Sequence, residues 1–188
     1  MTRPPIPIPA TIATRPVHNG RVISVHADTV RFPDGSTGTL DIVRHPGASA
    51  VVPFLGEPGG DDPTVLLIRQ YRYATGRWLL EIPAGRLDVG ETPEACARRE
   101  LREETGCTAI VMEPMTTIFT TPGFSDERIH LFLATGLTRG ESSHEADEFI
   151  EPVAISLTEA LSRVESGEIS DAKSALALLF AAGFRAGR

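Results

Sequence analysis

Three glutamates, Glu100, Glu103 and Glu104, stand at i, i+3 and i+4 within GRLDVGETPEACARRELREETGC, residues 85–107. On a helix those spacings place all three carboxylates on one face, with Glu100 and Glu104 one turn apart. The helix is well marked. Thr92 suits its cap, Pro93 its first residue and Gly106 a left-handed exit after Thr105. Such a face has two explanations. It can be a solvated surface laced with ion pairs, and Arg99 to Glu103 at i+4 fits that picture. Glu100 and Glu104 do not, because like charges at that spacing cost a helix about 0.2–0.5 kcal/mol. The other explanation is a cation that joins the carboxylates. Oxygen donors suit hard divalent ions such as Mg²⁺ or Mn²⁺, and no His or Cys lies among these carboxylates to favour zinc. Spacing alone leaves both open.

The chain has 188 residues, 41% of them hydrophobic, enough for one medium domain with a small N-terminal appendage. Its formal net charge of −7 gives no global pull toward nucleic acid or an anionic membrane. An anionic small molecule would need local help from arginine or metal. The start, MTRPPIPIPA, is broken by prolines and has no apolar signal core, and the apolar run 175–182 is too short for a bilayer. Cys96 and Cys107 on one helix would lie about 16 Å apart, far beyond the roughly 7 Å reach of a disulfide. Two reduced thiols in a cytoplasmic protein are expected.

Along the chain, residues 1–16 carry five prolines and read as an extended or mobile tail. Residues 17–47 read as a small antiparallel β subdomain, with Pro33-Asp34-Gly35-Ser36 as a turn. It is too thin to fold alone. Residues 48–188 form the main domain. Strands are expected at 48–55, at 65–68 running on to Arg72, and at 78–82, the last ended by Pro83-Ala84-Gly85. Further strands are expected at 108–112, 116–120, 128–137 and 149–156. Helices are expected at 93–105, 157–165 and 170–184. Strands mixed with a few covering helices indicate an α+β sandwich.

The segment from Gly85 resembles the Nudix box, G-x5-E-x7-R-E-U-x-E-E-x-G-U, where U is large and apolar. Gly85, Glu91, Arg99, Glu100, Glu103, Glu104 and Gly106 fill its fixed positions and Leu101 its first U; Cys107 at the last U is a small departure. The resemblance implies an α/β/α sandwich whose loop–helix–loop carries two or three Mg²⁺ or Mn²⁺ ions. Glu100 and Glu104 become principal metal ligands. Glu103 becomes a ligand or a catalytic group that orients water, and Ala84 gives its backbone carbonyl. Arg99 and Glu91 become a structural ion pair, and the glycines allow sharp turns.

The flanks resemble the ADP-ribose pyrophosphatase subfamily. Gln70-Tyr71-Arg72, the Glu81-x-Pro83-Ala84-Gly85 lead into the box, and Pro122, sixteen residues after Gly106, carry that resemblance. It implies hydrolysis of ADP-ribose to AMP and ribose 5-phosphate, with a swapped N-terminal subdomain in a homodimer. Arg72, Glu81, Gly123 and Phe124 become substrate-binding positions. Arg72 could otherwise be a surface strand residue, Glu81 merely solvated, and Phe124 a loop anchor. Tyr71 and Trp78 read as core or interface. A glutamate of the acidic loop that precedes Phe149, Glu148 or alternatively Glu145, becomes the group that helps deprotonate the attacking water. Another nucleoside diphosphate sugar such as GDP-mannose is the alternative substrate, and a non-catalytic ADP-ribose sensor the alternative class.

Overall fold

A computed structural model describes residues 7–140 and 149–183. Two compact units emerge, one of residues 1–46 and 119–127 and the other of residues 47–118 and 128–188.

The first unit is a three-stranded antiparallel sheet of β1 (Ala10–Asn19), β2 (Ser24–Arg31) and β3 (Thr37–Arg44), in that order. The β2–β3 turn is held by Asp34, whose Oδ1 accepts from the Ser36 amide at 2.9 Å and its hydroxyl at 2.7 Å. β1 corrects the expected tail, since residues 10–16 are part of a strand. Pro16 is compatible with it because β1 is an edge strand, its residues are all exposed, and the register shifts between Pro16 and His18. Residues 119–127, expected in the main domain, belong to this unit. Val43 donates its amide to the Phe124 carbonyl at 2.7 Å, Asp126 returns an amide to the Val43 carbonyl at 3.2 Å, and Arg44 bonds both Asp28 and Asp126.

The second unit is built on two sheets. One has the order β10–β5–β6, comprising β5 (Thr64–Arg72), β6 (Arg77–Glu81) and β10 (Ile150–Ser156). The other has the order β7–β4–β9–β8, comprising β4 (Ala48–Pro53), β7 (Ala84–Arg86), β8 (Cys107–Phe119) and β9 (Arg128–Arg139). β4 runs parallel to β9 and antiparallel to β7. Helices α1 (Pro93–Thr105), α2 (Leu157–Glu165) and α3 (Ala172–Gly183) cover the sheets. Every residue of β4 is buried, as expected for a strand packed on both faces. Ala50 and Val52 join Leu67, Ile82, Leu131, Ala177 and Leu178 in one apolar layer. Val51 joins Leu66, Ala97, Leu101 and Phe132 in the other, against α1. This is the expected α+β sandwich.

Beyond shifts of a residue or two at strand ends, the strands differ from expectation at β8 and β7. β8 is continuous where two strands were expected, and it tolerates Pro114 because it is the sheet edge. β7 occupies Ala84–Arg86, where no strand was expected; it pairs with β4 through Ser49 opposite Gly85. Among the described residues, no helix is long and apolar enough to cross a membrane.

Candidate active site

Helix α1 starts and stops where its sequence dictates. Thr92 accepts from the Ala95 amide, Pro93 is at the first turn, and Gly106 exits at φ 72°. Its N-terminus is pinned to the buried strand β4 by the Ser49 hydroxyl, which donates to the Pro93 carbonyl at 2.8 Å. The buried face of α1 carries Cys96, Ala97, Leu101, Glu100 and Glu104, so two of its three clustered carboxylates are inside.

Those carboxylates are packed against β7. Glu104 Oε2 accepts the Ala84 amide at 2.9 Å. Glu100 lies so close to Gly85 that a Cβ there would fall 1.9 Å from Oε1. Gly85 is therefore needed for close approach, whereas Gly90 and Gly106 are needed for positive φ, at 81° and 72°. The Cys96 thiol donates to the Gly85 and Arg86 carbonyls at 3.5 and 3.4 Å. Burial, with the nearby Glu100 charge, pushes this thiol up to about 12. Both cysteines are free and buried.

Arg99 organises the exposed side of the cluster. It forms a two-pronged pair with Glu91, at 2.9 Å on each prong, the structural pair that the box implies. Its Nη1 also reaches Glu100 at 2.6 Å and Glu103 at 3.1 Å. The Glu91 carboxyl is held down at about 2, chiefly by the hydrogen bond from Arg99. Arg99 itself is held above its ordinary range, first by Glu91 and then by Glu100 and Glu103.

Three carboxylates thus share one guanidinium, with buried Glu104 beside them. That excess of oxygen donors and negative charge suits a hard divalent ion. The side chains do not yet converge on a single point. Among the described residues, no three His, Cys, Asp or Glu side chains form a group that could hold a metal ion. Arg99 balances the charge of Glu100 and Glu103.

A second polar cluster lies at the ends of β5 and β6. Glu81, expected to be either substrate-binding or merely solvated, is only 1% exposed. Arg72 donates to it from Nε at 2.8 Å and Nη2 at 2.9 Å. Burial alone would raise the Glu81 carboxyl; Arg72 and Lys173 outweigh that and bring it to about 2. Arg72 is held above its ordinary range by the Glu81 bond, against burial, with the charges of Glu104 and Asp171 adding to the effect. Arg72 is thus paired and only part-exposed, not the plain surface residue its strand position allowed.

Lys173 was missed by sequence reasoning. Its Nζ donates to Glu81 Oε2 and to Asp171 Oδ2, the latter at 2.9 Å. One signal was available. A lysine in the first turn of α3 opposes the helix dipole and needs an anion nearby. That anion lies 92 residues away in sequence.

Gly123 and Phe124 lie in the first unit, where the Phe124 backbone is tied to β3 and the residue is 53% exposed. Glu145 and Glu148 lie outside the described residues. Tyr71 and Trp78 are not core residues. They are 42% and 46% exposed and stack edge to face with centroids 5.8 Å apart, with Arg69 over the indole at 5.0 Å. A separate cavity of about 910 Å³ in the second unit is lined by Glu57, Asp61, Glu113, Met115 and Phe180 among others, and by no residue of the box.

The NUDIX domain family model matches residues 44–177. An ADP-ribose pyrophosphatase of Bacillus subtilis (strain 168) is 41% identical over 172 residues, covering 90% of each chain. A methanol dehydrogenase activator of Bacillus methanolicus is 39% identical over 172 residues, also covering 90% of each. A crystal structure described as an ADP compounds hydrolase superposes with a TM-score of 0.83 over 98% of both chains, at 21% identity. The match spans the glutamate helix, the Ala84–Arg86 strand that it clamps and the Arg72–Glu81 pair, and the chain belongs to the NUDIX domain family.

Proposed function

We propose that this protein hydrolyses the diphosphate bond of ADP-ribose to AMP and ribose 5-phosphate, using divalent cations held by the box. The observation that carries the reading is the burial of Glu100 and Glu104 on one face of α1 against Ala84-Gly85. The 41%-identical relative named an ADP-ribose pyrophosphatase supports the substrate.

Glu100, Glu103 and Glu104, with the Ala84 carbonyl, would hold Mg²⁺ or Mn²⁺, two or three ions in the full site. Such ions neutralise phosphate charge and acidify a water. The remaining work falls to the chain. Arg99 keeps Glu91 and the box loop against α1, so the glutamates stay aligned. Gly85 leaves room for the Glu100 carboxylate. Arg72 presents a planar guanidinium suited to a diphosphate and to the charge that develops on it. Glu148, or alternatively Glu145, accepts the proton of the attacking water. Water adds to one phosphorus, the anhydride P–O bond breaks, and the leaving phosphate departs with its bridging oxygen. Gly123 and Phe124 contact the substrate.

The N-terminal subdomain, residues 17–47, is proposed to be exchanged between two copies in a homodimer. The fully exposed β1 and the exposed Tyr71–Trp78 pair support an interface. The free, buried cysteines support a cytoplasmic setting, where thiols stay reduced.

Incubation with ADP-ribose, Mg²⁺ and ¹⁸O-labelled water, followed by mass spectrometry, tests the reaction. AMP and ribose 5-phosphate are expected, one of them carrying the label on its phosphate. Faster turnover of GDP-mannose in a parallel panel would replace the substrate. Tight ADP-ribose binding without AMP release would replace the enzyme with a sensor.

A further inference from the structure

We propose that Lys173 is a positioning residue of this site: it holds the buried Glu81 carboxylate independently, so that Arg72 can leave Glu81 for an anionic substrate. The identity of that anion rests on the diphosphate reading above.

Glu81 is 1% exposed and bonded to two cations. A buried carboxylate stripped of its only cation is strongly destabilising. An arginine that serves both as its sole partner and as a phosphate ligand would have to pass through that state. Here the two cations differ in what else restrains them. The Arg72 side chain is 38% exposed, at the end of β5. The Lys173 side chain is 11% exposed and is tied to Asp171 as well as to Glu81.

Asp171 is itself locked. Its Oδ2 accepts the Ser174 amide at 3.0 Å, capping α3, and the Ser174 hydroxyl at 2.5 Å. The Ser174 oxygen in turn accepts the Ile82 amide at 2.9 Å, next to Glu81 in sequence. Lys173 is thus held between β6 and the start of α3, whereas the Arg72 side chain is part-exposed and, among the described residues, bonds only to Glu81. The four charges balance, with Arg72 and Lys173 opposite Glu81 and Asp171. When Arg72 turns to an anion, Glu81 keeps Lys173. Glu81 stands three residues before Ala84, whose amide Glu104 accepts, so the Arg72–Glu81 pair adjoins the box.

Steady-state kinetics with ADP-ribose and Mg²⁺ test this on the wild type, Lys173→Met, Lys173→Gln, Lys173→Arg, Arg72→Ala and the Arg72→Ala/Lys173→Met double variant. Without the lysine charge, Arg72 is retained by Glu81. KM should rise about tenfold or more, and kcat should fall as well because Arg72 also meets the developing charge, so kcat/KM falls by more than KM rises. Lys173→Arg should restore KM to within about threefold of wild type. Arg72→Ala should raise KM in the wild type but add little in the Lys173→Met background. Lys173→Gln keeps a hydrogen-bond donor toward Glu81 without the charge, and it carries the comparison should Lys173→Met fail to fold. A wild-type KM in the neutral variants, or full additivity in the double variant, overturns the inference. If the wild type releases no AMP, the substrate reading fails separately. The same variants are then compared for pyrophosphate binding by calorimetry, where equal affinities for wild type and Lys173→Gln overturn the role of Lys173.

Discussion

The Glu100 carboxylate occupies the space that a Cβ on residue 85 would need, its Oε1 lying 1.9 Å from that position. Gly85 does not have positive φ, so its constraint is steric rather than conformational. Gly85→Ala must push Glu100 or strand β7 aside. A loss of about 1–3 kcal/mol of stability is expected, typical of overpacking, together with a larger fall in kcat/KM. Thermal melting and kinetics on the variant check both. Unchanged activity would mean that Glu100 does not work from this position.

Glu104→Gln keeps an oxygen that can accept the Ala84 amide, now bonded at 2.9 Å. The fold should therefore persist. Removing the charge should lower kcat by at least about a hundredfold, because a proposed cation ligand is lost. Circular dichroism and product release separate the two effects. Near wild-type turnover would remove Glu104 from the metal set.

Glu91 links pH to stability. Its carboxyl lies at about 2 when folded, against an ordinary 4.5, chiefly through the Arg99 hydrogen bond. Between those values the unfolded chain binds more protons than the folded one. Its contribution is fully present above pH 4.5 and is lost as pH falls toward 2. Buried Glu81 acts in the same direction, held at about 2 against the effect of burial by Arg72 and Lys173. Glu91→Gln should be less stable than wild type at pH 7, with the gap narrowing on acidification. Urea midpoints for both proteins between pH 7 and pH 3 measure it.

Cys96 and Cys107 are buried, and Cys96 has its thiol pushed up to about 12. Neither should react rapidly with a disulfide reagent at pH 8 in the native state. Both should react once guanidinium unfolds the chain. Prompt labelling of the folded protein would show that the α1–β7 contact opens readily.

The carboxylate helix was legible because a helix writes its period into sequence. Cap, first-turn proline, left-handed exit and the i, i+3, i+4 glutamates all lie within a few residues of one another. The Arg99–Glu91 pair was legible through the family pattern. β1 was obscured because prolines signal a tail, yet an edge strand accepts them where no ladder bond is needed. β7 was too short to carry a period of its own.

By itself, then, the sequence determined the type of site: a helix face of hard oxygen donors behind a glycine-rich entry. Only the tertiary structure decided which carboxylates are buried and why residue 85 is glycine. It alone joined Glu81 to Lys173, Asp171 and Ser174. Local geometry repeats along the chain and can be read from spacing. A salt bridge across 92 residues leaves no periodic trace. It exists because β6 and the start of α3 pack together around a charge that burial will not tolerate unpaired.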